Sequence, residues 1–200
     1  MMRAGQYCLG MHDPFDHCRD LVRAADKDRF LAALYAPANR RGALFALYAF
    51  NAELARVREV TREPPAGEIR LQWWHDALER PGSGEARASP VASALLDTVI
   101  RFRLPVASLI GVIEARAFDL YNDPMPTLAA LEAYADATAA TVIGLAAKIL
   151  DGAWTDAASA VRAAGRAHAI AGLARAFPQH AARGQLYVPL ELLERHGGKP

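Results

Sequence analysis

Two pairs of aspartates in this 200-residue chain stand four residues apart, Asp16 and Asp20 in DHCRD and Asp119 and Asp123 in DLYND. Carboxylates at that spacing share one face of a helix. Paired carboxylates are the hard oxygen donors that magnesium takes. Local sequence argues against a metal at either place. Asp16 falls at a helix start, which Asp13 or Asp16 can cap and where negative charge suits the helix dipole. DLYND runs into Pro124, so this string reads as a solvated helix end or turn. His12, His17 and Cys18 can be drawn as a zinc group, but their spacing matches no structural zinc pattern. His75 beside Asp76 reads as a surface pair on a helix.

Helices must carry whatever these residues do. Proline and glycine cut the chain near Pro37, Pro64, Pro81 to Gly84, Pro105, Pro124 to Pro126 and Gly152, and the apolar residues between recur at three and four. Phe15, Leu21, Val22, Phe30 and Leu34 form one such stripe; Leu44, Leu47, Tyr48, Leu54 and Val57 form another over Asn39 to about Val60. Further helices are expected at about 67–80, 90–103, 106–123, 127–150 and 155–177, with Thr127 a cap. The segment at 80–90 reads as a flexible linker too short to divide domains. Alanine makes up roughly a fifth of the chain, well above average usage, and favours helix. No stretch alternates with period two, so the expectation is one all-α domain over 1–200.

A formal net charge of +1 with interspersed signs gives no field for nucleic acid. Two cysteines, Cys8 and Cys18, are too few to staple the fold and suit a reducing compartment. The apolar run ATAATVIGLAA at 137–147 is shorter than the roughly 18 residues a membrane span needs. The start of the chain has no signal-peptide run. A cytoplasmic location is expected, with peripheral contact at the inner membrane left open. Trp73 and Trp74 point about 100 degrees apart on a helix, so one should pack and the other meet an edge, a partner or a membrane surface.

Four strings occur in an order that resembles the squalene/phytoene synthase family: RRGALFALYAF at 40–50, IRLQWWHDALE at 69–79, YADATAATVIGL at 134–145 and ARGQLYVPLELL at 182–193. The matches run from about residue 28 to the end. The resemblance implies a helical isoprenoid-synthase fold. In that family two aspartate motifs face each other across a cavity and hold magnesium against a prenyl diphosphate. Aligned on LYAF, the first motif falls on Ala55 to Glu59, with Arg56 where an acid is expected. The second falls on Ala176 to His180, and imidazole is a poor magnesium ligand. Polar family positions one and two turns earlier fall on Ala169 and Gly172, while Arg175 and Arg183 are kept. One carboxylate in four implies no catalytic residue, no metal and no cofactor, with Mg²⁺ required only under the enzyme alternative.

The strings AFNAELARV at 49–57 and ARAFPQH at 174–180 are similar to the subgroup of this family that serves respiratory complex I assembly. The resemblance implies respiratory-complex subunits or assembly intermediates as partners. Two alternatives stand beside it: a prenyl transferase with an altered metal site, and a carrier for an isoprenoid or anionic lipid. A candidate ligand pocket comprises Tyr48, Asn51, Arg56, Gly172, Arg175 and Arg183, with Arg58 a further phosphate contact. By helical spacing Tyr48, Asn51, Ala55 and Glu59 share one face, as do Gly165, Ala169, Gly172 and Ala176. Small residues on the second face mean close helix packing or a roomier pocket. Family members continue for several helices beyond the Y-x-P segment, whereas this sequence stops at HGGKP, so the resemblance implies either a C-terminally truncated chain or a helical shell without its C-terminal helices.

Overall fold

The computed structural model describes residues 13–61, 63–152 and 159–198. Among them there is no strand. The helices are α1 (Pro14–Ala25), α2 (Lys27–Leu34), α3 (Ala38–Ala55), α4 (Val57–Val60), α5 (Pro64–Glu79), α6 (Gly84–Ala88), α7 (Pro90–Phe102) and α8 (Val106–Arg116). A 3₁₀ turn, Ala117–Leu120, follows. Then come α9 (Leu128–Ala135), a π-helical turn (Asp136–Ala140), α10 (Thr141–Asp151), α11 (Ser159–Arg175), α12 (Phe177–Ala182) and α13 (Leu190–Arg195).

Side-chain caps set the start of five helices, α1, α2, α6, α7 and α9. Asp13, not Asp16, accepts the Phe15 N–H at 3.0 Å, with Pro14 in the first turn. The single first helix expected from its stripe is two, because Asp26 is extended at φ −146° and caps α2 through the Arg29 N–H at 3.0 Å. That break turns Leu34 outward, 41% exposed, while Val22 is fully buried. Ser83 and Ser89 cap α6 and α7. Residues 80–90 therefore carry a short helix rather than a flexible linker. Thr127 caps α9 as expected, at 3.1 Å from the Ala130 N–H.

Helix α3 is the axis of the core, buried along most of its length and packed against α1, α7 and α10. Fully burying side chains such as Leu47, Phe50 and Leu54 contributes about 1.5–3 kcal/mol each. Phe50 meets Trp74 edge-on at 5.0 Å. Trp73 lies 5.1 Å from Trp74 and is itself half-buried against the core, so neither indole is left free at an edge. Cys18 is fully buried, and desolvation pushes its thiol up to about 12. It cannot share an exposed metal with His17; Cys8 and His12 lie outside the described residues.

Two features place the cleft. The first is the π turn, which inserts an extra residue into one helical turn, a distortion often found at functional sites. Here Gly165 of α11 comes so close that a Cβ would stand 2.3 Å from the Ala140 Cα. Arg166 straps the two helices together, reaching Asp136 at 2.7 and 2.8 Å and Glu132 at 2.7 Å. The second is the segment after α12. Leu186 accepts the Met125 N–H and Met125 accepts the Leu190 N–H, both at 2.9 Å, so this segment lies along the Pro124–Pro126 loop. Tyr187 is thereby carried into a small apolar cluster with Met125 and Leu131.

The helix running continuously from Leu128 to Asp151 is long and apolar enough to cross a bilayer by length and composition, which the 11-residue run alone did not indicate. In its most apolar window 56% is buried within the fold, as in the core helix of a bundle.

Candidate functional site

The C-terminal end of α3, the α3–α4 turn, the π turn and α11 enclose a cleft of about 290 Å³. Asn51, Ala55, Arg56 and Glu59 form one wall. Ala169, Gly172, Ala176 and His180 form the facing one, and Arg58 and Arg183 also line it. The two motif positions read from the sequence therefore do face each other. Small residues on α11 and at its end serve both expected purposes: Gly165 permits close packing, while Ala169, Gly172 and, just beyond the helix, Ala176 open onto the cleft.

Two of the expected pocket residues lie elsewhere. Tyr48 does not line the cleft; its ring sits under the Arg29 guanidinium, 5.5 Å away. The α3 helix ends at Ala55, and Arg56 at φ −97°, ψ 0° is no longer helical. The face drawn from Tyr48 to Glu59 is therefore not continuous. Arg175, 77% exposed, reaches outward to Asp28 at 3.8 Å.

The floor of the cleft was not foreseen. DLYND is not wholly a solvated end: Asp123 is exposed, but the 3₁₀ turn carries Asp119 inward until it is 7% exposed. Its Oδ1 accepts the Tyr187 hydroxyl at 2.6 Å and the Tyr134 hydroxyl at 2.8 Å. Its Oδ2 accepts Arg116 Nη1 at 3.0 Å. Arg116 also donates to the Tyr134 oxygen at 2.9 Å, and Gln185 donates to the Asp119 carbonyl at 2.9 Å. Burial, then the Asp119 charge, pushes the Tyr187 hydroxyl far above its ordinary value, and burial does the same to Tyr134. Burial works against the charge of Arg116, but Tyr134 and Asp119 outweigh it. The floor is thus a charge-balanced network of one anion, one cation and two phenols, in which only Arg116 Nε is left without a hydrogen-bond partner. The two phenol partners of Asp119 stand 15 and 68 residues away. The strings containing Tyr134 and Tyr187 were visible in the sequence; their convergence was not.

The rim is wetter and looser. Glu59 Oε1 faces Arg183 Nη1 at 3.3 Å, and its Oε2 faces Arg56 Nε at 3.5 Å. Arg58 reaches Asn122 at 3.3 Å. The His180 ring lies 4.7 Å from that of Tyr187, and desolvation holds its pKa below the ordinary value, as it does for His168 on the same cleft.

Other candidate groups stand apart. Asp16 and Asp20 both pair with Arg19, at 2.7 and 3.1 Å. His75, Asp76 and Glu79 bring their donor atoms within 4.8 Å of one another, but Asp76 is held by Arg80 at 2.6 Å and Gln72 at 2.8 Å. None of these residues lines the cleft.

Residues 22–200 match the sequence profile of the squalene/phytoene synthases. The chain belongs to that family. It is 31% identical over 188 residues to a Rattus norvegicus protein named NADH dehydrogenase (ubiquinone) complex I, assembly factor 6, covering 94% of this chain and 56% of the rat one. It is 26% identical over 204 residues to the 15-cis-phytoene synthase of a Synechocystis strain, covering 94% of this chain and 59% of that enzyme. The chain thus spans little more than half the length of these relatives. A crystal structure of a dehydrosqualene synthase in complex with ligand superimposes with a TM-score of 0.80 at 21% identity, over 93% of this chain and 64% of that one. That likeness establishes the isoprenoid-synthase fold.

Magnesium can be tested against the donors present. Three carboxylates line the cleft, Asp26, Glu59 and Asp119, each beside an arginine, and of these only Glu59 is exposed. Asp26 holds Arg29 at 3.1 Å, Glu59 lies between Arg56 and Arg183, and Asp119 is closed within the floor. Ala55 and Ala176 offer methyl groups, and His180 offers a nitrogen ligand. Hard divalent cations need several accessible oxygens, so this donor set does not fit a cluster of magnesium ions.

Proposed function

We propose that this chain is a non-catalytic squalene/phytoene synthase family member that serves the assembly of a respiratory NADH:quinone oxidoreductase. One observation carries the reading: every carboxylate in the cleft is engaged by an arginine. A prenyl synthase of this fold needs free carboxylates there to bridge metal to diphosphate. The similarity to complex I assembly factor 6 supports the assembly role and supplies the class of partner, respiratory-complex subunits or assembly intermediates. Peripheral contact with the inner membrane is part of the proposal, since such clients are membrane-bound.

The test has two arms. Purified protein is incubated with prenyl diphosphate and Mg²⁺ and the products are extracted; no condensation product is expected. The gene is also deleted in its host and complex I is followed on native gels; loss of the assembled complex, restored by the wild-type gene, is expected. Metal-dependent condensation would overturn the non-catalytic reading, and full complex I in the deletion strain would overturn the assembly role.

A further inference from the structure

Helix α7 closes on a residue in an uncommon conformation. The Leu104 N–H reaches back to the Val99 carbonyl at 3.1 Å, and Arg103 in that turn takes φ 50°, ψ 48°. Glycine normally fills this left-handed position, because a Cβ there crowds the backbone. Among the described residues Arg103 is the one non-glycine with positive φ, and its side chain is exposed. A strained residue kept on the surface points to a use for its side chain.

The turn stands beside the α2–α3 turn, at the end of α3 away from the cleft. Arg40 of α3 and Arg101 of α7 both lie over the Phe102 ring, at 5.0 and 5.2 Å, and Arg41 donates to the Ala36 carbonyl at 2.8 Å. Tyr35 on the α2–α3 turn is 93% exposed, Ile100 on α7 67% and Leu31 on α2 56%. No carboxylate occurs from residue 29 to 52 or from 98 to 113. The acids just before these stretches, Asp28 and Asp97, are paired with Arg175 and Arg87. Four arginines therefore share this end with exposed apolar side chains and, among the described residues, with no opposing carboxylate.

Charge complementarity sets the sign of the occupant. A guanidinium meets a carboxylate through two parallel N–H···O bonds. Stacking on Phe102 restricts Arg40 and Arg101 before any contact, so less freedom is lost on binding. Tyrosine and arginine are enriched, and carboxylates depleted, at the cores of protein–protein interfaces. A bilayer surface instead takes a broad apolar face, whereas here single apolar side chains stand among the charges. We propose that this end of the bundle, from Tyr35 and Arg40 to Arg101 and Arg103, docks a segment of a partner protein whose aspartates or glutamates flank an apolar side chain. The identity of that partner as a respiratory-complex subunit or assembly intermediate rests on the assembly reading; the surface does not.

The experiment places a photoreactive benzoylphenylalanine at position 35 of the full chain in its host, and linked peptides are mapped by mass spectrometry. A link to a peptide rich in aspartate or glutamate is expected. Arg101→Glu combined with Arg103→Glu should lower its yield about tenfold, as loss of a charge-assisted contact does. Arg103→Gly separates docking from folding. Glycine relieves the left-handed strain, so this variant should melt no lower than wild type while the yield still falls severalfold. Links to peptides without acidic residues, no linked peptide, or a yield unchanged in both variants would overturn the proposal. So would phosphatidylglycerol vesicles that capture the wild-type chain but not the double reversal, since this end would then be a membrane contact. An acidic peptide from a protein outside complex I sustains the surface and counts against the assembly role. Loss of complex I in the deletion strain with no linked peptide does the reverse.

Discussion

The floor and the rim of the cleft are made of the same chemistry, carboxylate against arginine, yet they are physically different objects. At the floor Asp119 is 7% exposed, and its contacts run from 2.6 to 3.0 Å. At the rim Glu59 is 43% exposed and its arginines stand at 3.3 and 3.5 Å. Water screens the rim and not the floor. A rim pair therefore adds little to stability and can exchange partners, whereas at the floor loss of Asp119 or Arg116 would leave the other as an unpaired buried charge. Substitutions at the rim are therefore expected to leave the fold intact. The floor has no such freedom, and it holds the 3₁₀ turn, α9 and the Tyr187 segment together.

Asp119→Ala should sharpen this contrast most. It leaves Arg116 buried without its counterion, and breaking a buried pair from one side costs about 3–5 kcal/mol. Denaturant unfolding followed by circular dichroism would measure it. A loss no larger than at the rim would erase the distinction.

Gly165→Ala tests how closely the wall bearing Gly172 and Ala176 is pinned to the helix behind the floor. The added methyl would meet Ala140 backbone atoms at 2.3 and 2.5 Å. Overpacking of that kind typically costs about 1–3 kcal/mol. A thermal melt unchanged from wild type would show that α11 can move away freely.

Glu59→Gln should change stability by less than about 1 kcal/mol, the usual range for an exposed ion pair. A fall comparable to that of Asp119→Ala would place rim and floor in one network.

The smallest effect concerns pH. Desolvation holds His180 below its ordinary pKa of about 6.5. Between the folded and unfolded values the unfolded chain binds more protons, so stability rises with pH through that window and is lost as pH falls below about 6.5. His180→Gln should flatten this slope in melts between about pH 5 and 7. His168 should retain a share, since it shifts in the same direction. An unchanged slope would mean that His180 is as accessible to protons as the outer rim.

Helical periodicity and proline spacing made the fold class and most helix positions legible, along with caps such as Thr127. The family resemblance, through LYAF for Ala55 and Glu59 and through ARAFPQH for Ala176 and His180, also pointed to four residues that line one cleft. The break at Asp26 was not legible, because capping competed with an uninterrupted apolar stripe and one extended residue decided it. Arg175 and Tyr48 were misplaced because neighbours outside the cleft claim them: the Tyr48 ring packs under Arg29, and Arg175, expected from the resemblance, finds Asp28 outside.

What the sequence alone determined is what depends on neighbours in the chain. The helices, their caps and the residue types at Ala55, Glu59, Ala176 and His180 are local properties, set by backbone sterics and side-chain chemistry within a few turns. Only the tertiary structure decided what Asp119 is. Its identity as a buried anion depends on Tyr134 and Tyr187 arriving from distant segments and on a 3₁₀ turn that rotates it inward. The same holds for Glu59, whose two arginines come from its own turn and from 124 residues away. Electrostatic environment depends on packing density and solvent exclusion, and these exist only once remote parts of the chain have met.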